Sequence, residues 1–340
     1  MKKKALITGI SGQDGAYLAK LLLEKNYIVY GGDRRTASGS LWRLKKLGIE
    51  KKVKILDFDL SEDTNVHQII KEGQYNEIYN LAAQSFVKTS FDTPIMTSNI
   101  NAFGPLRILE AIRFYSKKTK FYQASTSEMF GGYKSEKFQN ENSHFKPRSP
   151  YAISKLYSHW TTVMYREAYG LFCCSGILFN HESPIRGQEF VTKKIIDGLC
   201  NLKYANGGVL EVGNIYAKRD WGFAGDYVEA MWKMMQQKKS DDYVIATGQT
   251  HTIKQFINEA GKYLGFDVYW TGKGIQEKCY DKRNKKLLVK INKKYFRPAE
   301  VHYLKGNFDK AKKILNWKPN YNFKDLVKIM CDDQINMYEN

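Results

Sequence analysis

A chain of 340 residues with 43% hydrophobic content can bury the core of one large α/β unit and a smaller lobe. No stretch approaches the roughly 18 apolar residues of a membrane span, and Met1-Lys2-Lys3-Lys4 leads straight into a strand pattern, so a cytoplasmic protein with no membrane partner is expected. The formal charge of +19 would suit nucleic acid or a phosphorylated small molecule, but the lysines are interleaved with acids along the chain, the pattern of a solvated surface rather than a nucleic-acid face.

Lys4 to Thr8 reads as a buried strand, and Gly9-Ile10-Ser11-Gly12-Gln13-Asp14-Gly15 opens an amphipathic helix running to about Asn26. Glycines so spaced between a strand and a helix let backbone approach a pyrophosphate lying on the helix amino terminus. Gly9, Gly12, Gln13, Asp14 and Gly15 are therefore candidate cofactor contacts. Tyr27 to Gly32 is a second strand, ending in Asp33-Arg34-Arg35. An acid at that place binds a ribose hydroxyl, whereas arginines accommodate a 2′-phosphate, and the adjacent pair Arg34 and Arg35 favours NADP over NAD. Val53 to Asp59 is a third strand, from which Asp59 and Leu60 reach toward the adenine. Glu77 to Leu81 is a fourth, continued by Ala82-Ala83-Gln84-Ser85. Ala82, Ala83 and Ser85 are small residues that suit close backbone approach to a cofactor, and Leu81, at the strand end before them, is a further candidate contact. Strands alternating with helices define a parallel, doubly wound α/β sheet.

The stretch from Tyr122 to Lys155 carries the chemistry. Lys120 to Ala124 reads as a strand, so Thr126, Ser127 and Glu128 fall just past its carboxyl end, the edge where such sheets bind ligands. Ser149 can cap a helix that starts at Pro150, a residue with no N–H to lose. Tyr151 and Lys155 then share one face of that helix, a turn apart. A phenol with pKa near 10 must fall by about 3 to act as a base at neutral pH, and an ammonium at about 4 Å supplies roughly 4 kcal/mol toward that fall. Tyr-x-x-x-Lys is also a common surface pair, and Glu128 could merely close a capping box with Ser125. Beside the glycine fingerprint, a catalytic reading of Thr126, Glu128, Tyr151 and Lys155 is the stronger one.

Phe172 to Leu178 is a further strand, followed by the polar loop Phe179 to Gly187. Val191 to Asn201 and Gly225 to Gln237 are helical, and Tyr243 to Ala246 returns to the sheet. Short helices near Thr252 to Leu264 and Asp309 to Leu315 belong to a smaller lobe. Leu287, Leu288, Val289 and Ile291 alternate like a strand or hairpin inside the lysine-rich run 282–294. The 5 cysteines contain no Cys-x-x-Cys pair and the 6 histidines no metal-ligand spacing, which predicts buried thiols in a reducing compartment and no metal.

The strings Asn180-His181-Glu182-Ser183-Pro184, Arg219-Asp220-Trp221-Gly222 and Tyr295-Phe296-Arg297-Pro298-Ala299-Glu300, with the fingerprint and the Tyr151/Lys155 pair, resemble the extended short-chain dehydrogenase/reductases. Within them the chain is similar to the GDP-mannose 4,6-dehydratases. That resemblance implies a Rossmann domain over 1–178 with a segment returning at about 220–250. It implies a nucleotide-sugar lobe from 179–219 and 251–340. Tyr151 would take the proton of the sugar 4-hydroxyl, with Lys155 lowering its pKa and holding the cofactor ribose. Glu128 would remove the C5 proton and, directly or through Thr126, help hydroxide leave from C6. His181 and Arg186 would touch the dinucleotide, while Ser85, Ser127, Asn180, Lys194, Arg219, Arg297 and Glu300 would hold the GDP-sugar. The loop Thr36 to Leu44 resembles one that reaches a neighbouring subunit's cofactor, though it lacks the usual Asn-Thr pair, so a homo-oligomer, dimer or tetramer, is implied. Rival readings are a dehydratase for another GDP-sugar, such as GDP-manno-heptose, and a basic nucleic-acid-binding protein on the same fold. A catalytically idle redox sensor is disfavoured by the intact Thr126, Glu128, Tyr151 and Lys155.

Overall fold

A computed structural model of the protein describes residues 2–35, 41–132, 137–205 and 207–339. The Thr36 to Ser40 part of the expected inter-subunit loop lies outside these residues. In chain order the first half runs β1 (Lys4–Thr8), α1 (Gln13–Glu24), β2 (Ile28–Asp33), α2 (Trp42–Lys46), β3 (Lys54–Asp57), α3 (Asp63–Gly73) and β4 (Glu77–Asn80). There follow α4 (Val87–Asp92), α5 (Pro94–Ser98), α6 (Gly104–Tyr115), β5 (Lys120–Thr126), α7 (Pro150–Tyr169) and β6 (Cys173–Leu178). The second half contains β7 (Asn180–Glu182), α8 (Val191–Tyr204), β8 (Leu210–Val212), β9 (Lys218–Arg219), β10 (Trp221–Phe223), α9 (Ala224–Met235) and β11 (Asp242–Ile245). It ends with β12 (His251–Thr252), α10 (Ile253–Tyr263), β13 (Val268–Thr271), β14 (Lys278–Asp281), β15 (Leu287–Ile291), α11 (Asp309–Leu315) and α12 (Phe323–Glu339).

Seven strands form one parallel sheet in the order β11-β6-β5-β4-β1-β2-β3. The order reverses between β1 and β4, so the loops after these two strands part and leave a crevice at their carboxyl ends. Adjacent residues of β1 serve opposite faces. Ile7 packs with Leu18 and Leu22 of α1, while Leu6 packs with Ile108 and Ile112 of α6. All of these side chains are buried, each worth about 2 kcal/mol of transfer free energy. Covering both faces in this way explains why β4 and β6 are buried at every position rather than at alternate ones.

The smaller lobe is built on a four-stranded sheet, β13-β14-β15-β8. Ile195 and Leu199 of α8, Phe256 of α10, and Leu326 and Met330 of α12 close one core over it. The lysine-rich run forms a hairpin with β14. Four elements differ from the sequence reading, one of them at the site. The strand read as ending at Ala124 extends through Thr126, because Ser125 and Thr126 continue the ladder with Ile177 and Leu178 of β6. Helix α12 and strands β13 and β14 were not anticipated at all. All five cysteines are free and buried.

Candidate active site

The carboxyl ends of β1, β4, β5 and β6 open into a cavity of about 570 Å³ walled on the far side by the smaller lobe. At the end of β1, Thr8 donates its hydroxyl to Asn80 Oδ1 at 2.7 Å and accepts the amides of Leu81 and Ala82 at 3.2 and 3.1 Å. This pins the β4 loop against Gly9, whose φ is +69° and where a Cβ would lie 2.8 Å from the Ala82 backbone. Only glycine serves there. A Cβ on Gly15 would come 2.4 Å from the Gly9 carbonyl oxygen. Gly12 sits at the amino cap of α1, lines the cavity and leaves the helix without a side-chain cap.

Gln13 and Asp14 tie this turn to β7 and its loop. Gln13 accepts from Ser183 Oγ at 2.7 Å and donates to the His181 carbonyl at 3.2 Å. Asp14 Oδ2 lies 2.7 Å from His181 Nε2. Burial alone would raise the Asp14 carboxyl, but His181 and then Arg186 hold it below its ordinary value. Burial likewise opposes charge on His181, and Asp14 overcomes it and raises the imidazole. Both shifts favour the ionic form of the pair, in which the imidazolium offsets the carboxylate at the anion-binding end of α1. Arg186 pairs with Glu182 at 3.0 Å and lies 3.5 Å over the Phe190 ring.

The expected cofactor contacts divide into two sets. Gly9, Gly12, Gln13, Asp14, Gly15, Leu81, Ala83, Ser85, Lys155, His181 and Arg186 line the cavity. Five others do not. Ala82 packs behind Gly9; Arg34 and Arg35 are exposed past β2, the Arg35 amide bonding Asp57 at 3.3 Å. Asp59 accepts from Ser61 N and Oγ at 2.9 and 2.7 Å, and Leu60 is buried beside Gly104.

On the reaction side, Thr126, Ser127, Glu128, Tyr151 and Lys155 share the same wall. Thr126 is the last residue of β5, and its hydroxyl accepts the Glu128 amide at 3.3 Å, starting the short 3₁₀ turn Ser127–Phe130. The capping box considered for Ser125 does not form, since Ser125 Oγ lies 3.2 Å from His159 Nδ1. Glu128 is free of backbone capping by its carboxylate and instead meets Arg297 at 3.4 Å across a sequence gap of 169 residues. Helix α7 starts as expected: Ser149 accepts the Ala152 amide at 3.1 Å and Pro150 fills the first position.

The electrostatics of the Tyr151/Lys155 pair differ from the sequence argument. Burial pushes the Tyr151 phenol up to about 12, with Thr126 drawing it down and Glu128 pushing it further up. Burial brings the Lys155 ammonium down to about 8. Its Nζ donates to the Ala124 carbonyl at 2.9 Å. The phenol is thus not depressed in this structure: desolvation is the largest influence on both groups.

The expected sugar-nucleotide contacts converge from several segments. Arg219 is buried and reaches Glu300 at 3.5 Å. Burial lowers its guanidinium, with Glu128 acting against that and Arg297 adding to it. Lys194 Nζ sits 3.3 Å from the centroid of the Tyr295 ring. Asn180 lines the cavity with a buried Oδ1 that has no hydrogen-bond partner among the described residues. Several wall residues carried no sequence signal, among them Phe86, Lys88, Val212 and Asn214, while Trp221 lay inside a quoted motif without a role. Phe86 and Phe190 meet edge to face at 6.0 Å, joining the sheet domain to the lobe. Tyr295 lay inside a quoted motif but was given no role.

Among the described residues no group of His, Cys, Asp and Glu is arranged to hold a metal ion, and no helix is long and apolar enough to cross a membrane. Residues 6–330 match the family model of GDP-mannose 4,6 dehydratase. The chain is 46% identical over 343 residues to a Drosophila melanogaster protein of that name, covering 98% of this chain and 87% of the relative. Its fold is similar to dTDP-glucose 4,6-dehydratase from Bacillus anthracis in complex with NAD, with a TM-score of 0.81 at 20% identity, covering 99% and 98% of the two chains. It is also similar to RMD from Pseudomonas aeruginosa complexed with NADPH, with a TM-score of 0.76 at 20% identity, covering 98% and 99%. The chain belongs to the GDP-mannose 4,6-dehydratase family.

Proposed function

We propose that the protein converts GDP-D-mannose to GDP-4-keto-6-deoxy-D-mannose and water, using a nicotinamide dinucleotide that is regenerated in each turnover. The observation that carries the reading is the meeting of a phenol and a carboxylate on one wall: Tyr151 and Glu128 line the same cavity, and Glu128 acts electrostatically on Tyr151. A reductase or epimerase has no need of that carboxylate, whereas loss of water across C5 and C6 does.

The residues present fit such a cofactor. The open amides of α1, the close approach allowed at Gly9 and Gly15, and the neutralised Asp14 suit a pyrophosphate, and buried Lys155 suits a ribose. When bound, the dinucleotide supplies a store for hydride taken from C4 and later returned to C6. Arg34 and Arg35, exposed past β2, support NADP over NAD. His181 and Arg186 would complete the dinucleotide side.

Tyr151 then takes the proton of the 4-hydroxyl, with Thr126 bonding the same oxygen. A phenol near 12 is a weak base by itself, so further positive charge in the cavity must bring it down. Oxidation at C4 acidifies the C5 proton. Glu128 removes that proton and passes it to the leaving C6 hydroxyl, so that one water departs; the proton held by Tyr151 then returns to C5, and a bound dinucleotide would give its hydride back to C6. Arg297 holds Glu128 in place for the first of these steps. Arg219, Lys194 and Arg297 supply the positive charge a diphosphate needs, while Glu300, Asn180, Ser127 and Ser85 offer hydrogen bonds to ribose and sugar.

We also infer a homo-oligomer. Helix α7 exposes Ile153, Tyr157, Trp160 and Met164, one continuous helical stripe, and Phe103 extends it with its ring 5.7 Å from Tyr157. Nearby, Ile95 at the start of α5 is 85% exposed.

The reading is tested by adding GDP-mannose to the purified protein without further cofactor and following the nucleotide-sugar mass. Loss of one water is expected; unchanged GDP-mannose, with and without added NADP⁺, would overturn it.

A further inference from the structure

Arg43 contributes nothing to the cavity wall, yet it touches both loops that form the cofactor side of it. Its Nη1 donates to the Ser11 carbonyl at 2.9 Å, in the glycine-rich turn between β1 and α1. Its Nε donates to the Ile185 carbonyl at 2.7 Å, in the loop that follows β7. These acceptors lie 32 and 142 residues away in sequence. The guanidinium also rests on the Trp42 ring, 4.4 Å from its centroid.

Both acceptors sit one step from residues that face the cavity. Ser11 is next to Gly12, and its own hydroxyl reaches Asp33 Oδ1 at 2.9 Å, tying the turn to the end of β2. Ile185 is next to Arg186 and fully packed in the core, so its carbonyl is fixed from behind. On the inner side of the same pair of loops, Gln13 bridges to Ser183 and His181. The two loops are thus clamped by Gln13 and Asp14 on the inside and by Arg43 on the outside. Burial lowers the Arg43 guanidinium, with Glu189 acting against this, so its bonds form in a partly desolvated place where they count for more.

We propose that Arg43 is a positioning residue for the dinucleotide: its fork sets the separation of the glycine-rich turn and the 183–187 loop before the cofactor arrives. The inference rests on the cavity's taking a nicotinamide dinucleotide, as proposed above. Preorganisation lowers the ordering cost that binding must meet, so losing the clamp weakens binding rather than chemistry. A planar fork can serve two carbonyls on separate loops at once; a lysine ammonium carries the same charge but lacks that geometry.

The test is calorimetric titration of NADP⁺, and separately NAD⁺, into the wild type, Arg43→Lys and Arg43→Met, with thermal melts and steady-state kinetics alongside. Both variants should bind the nucleotide about tenfold more weakly, with the apparent KM for cofactor raised and kcat at saturating cofactor changed less than about twofold. Should Arg43→Met unfold, Arg43→Lys alone carries the comparison. Wild-type affinity in Arg43→Lys would mean that charge suffices and would overturn the role of the fork, as would unchanged affinity in both variants while the wild type binds. A wild type that binds neither nucleotide would overturn the reading of the cavity, and the inference with it.

Discussion

Replacing Lys155 by methionine removes a buried charge while keeping most of the side chain's volume. Lys155 is 3% exposed, and burial takes its ammonium from 10.5 to about 8. A drop of about 2.5, at about 1.36 kcal/mol for each, corresponds to roughly 3 kcal/mol against holding the charged form in the fold. The sign follows from linkage. The folded pKa lies below the unfolded one, so the penalty is fully present below about 8 and is relieved as pH climbs toward 10.5. Relative to Lys155→Met, the wild type should therefore gain about 2 kcal/mol between about pH 7 and about pH 9.5. The lost bond to Ala124 adds an offset that does not depend on pH, and the Ala124 carbonyl keeps a second donor in Gln123 Nε2 at 3.1 Å. Other buried groups titrate in both proteins and cancel in the difference. Urea unfolding of both, without nucleotide, at a series of pH values measures it. A stability difference that stays constant across this window would show that the ammonium is not desolvated, and the account of Tyr151 and Lys155 would fail with it.

Three further outcomes are expected. Glu77→Gln should cost about 1–3 kcal/mol in urea unfolding, because the buried carboxylate accepts from Tyr79 at 2.7 Å, Tyr27 at 3.0 Å and Lys3 at 3.2 Å, and an amide nitrogen cannot accept; stability equal to wild type would contradict this network. Gly9→Ala should lose about 1–2 kcal/mol from its positive φ together with measurable nucleotide binding, since the added methyl meets the Ala82 backbone at 2.8 Å; calorimetry showing wild-type affinity would count against the close approach. Trp160→Glu, in the middle of the exposed stripe of α7, should move the sedimentation profile to a smaller species while circular dichroism is unchanged; an unaltered profile would place any interface elsewhere.

The parts of the site that were legible in the sequence are those governed by local rules. The glycines at 9, 12 and 15, the Ser149 cap with Pro150, and the α7 face shared by Tyr151 and Lys155 each depend on neighbours a few residues away. Glu128 meeting Arg297 depends on the smaller lobe folding back across 169 residues, and no local pattern encodes that distance. Residue resemblance supplied Arg297, Glu300 and Arg219; it did not supply Val212, Asn214 or Phe86, which reach the wall through the lobe's sheet and the β4–α4 loop without a motif of their own. At the adenine end the strand-end rule does not say which way a side chain turns: Asp59 closes on Ser61 and Leu60 lies beside Gly104. The pKa argument for Tyr151 went astray for a related reason. It counted one nearby charge, whereas desolvation is a property of everything packed around the pair. Helix α12 was overlooked although Leu326, Val327, Met330, Cys331 and Gln334 mark its buried face.

The most direct test of the central claim is a single turnover of Glu128→Gln with GDP-mannose and NADP⁺. If the phenol and the carboxylate act on adjacent carbons, the variant should still oxidise C4, seen as a rise in reduced-nicotinamide absorbance. It should stop there, with no loss of water in the sugar-nucleotide mass. Dehydration at the wild-type rate would contradict the account, because the C5 proton would then be leaving through some group other than Glu128.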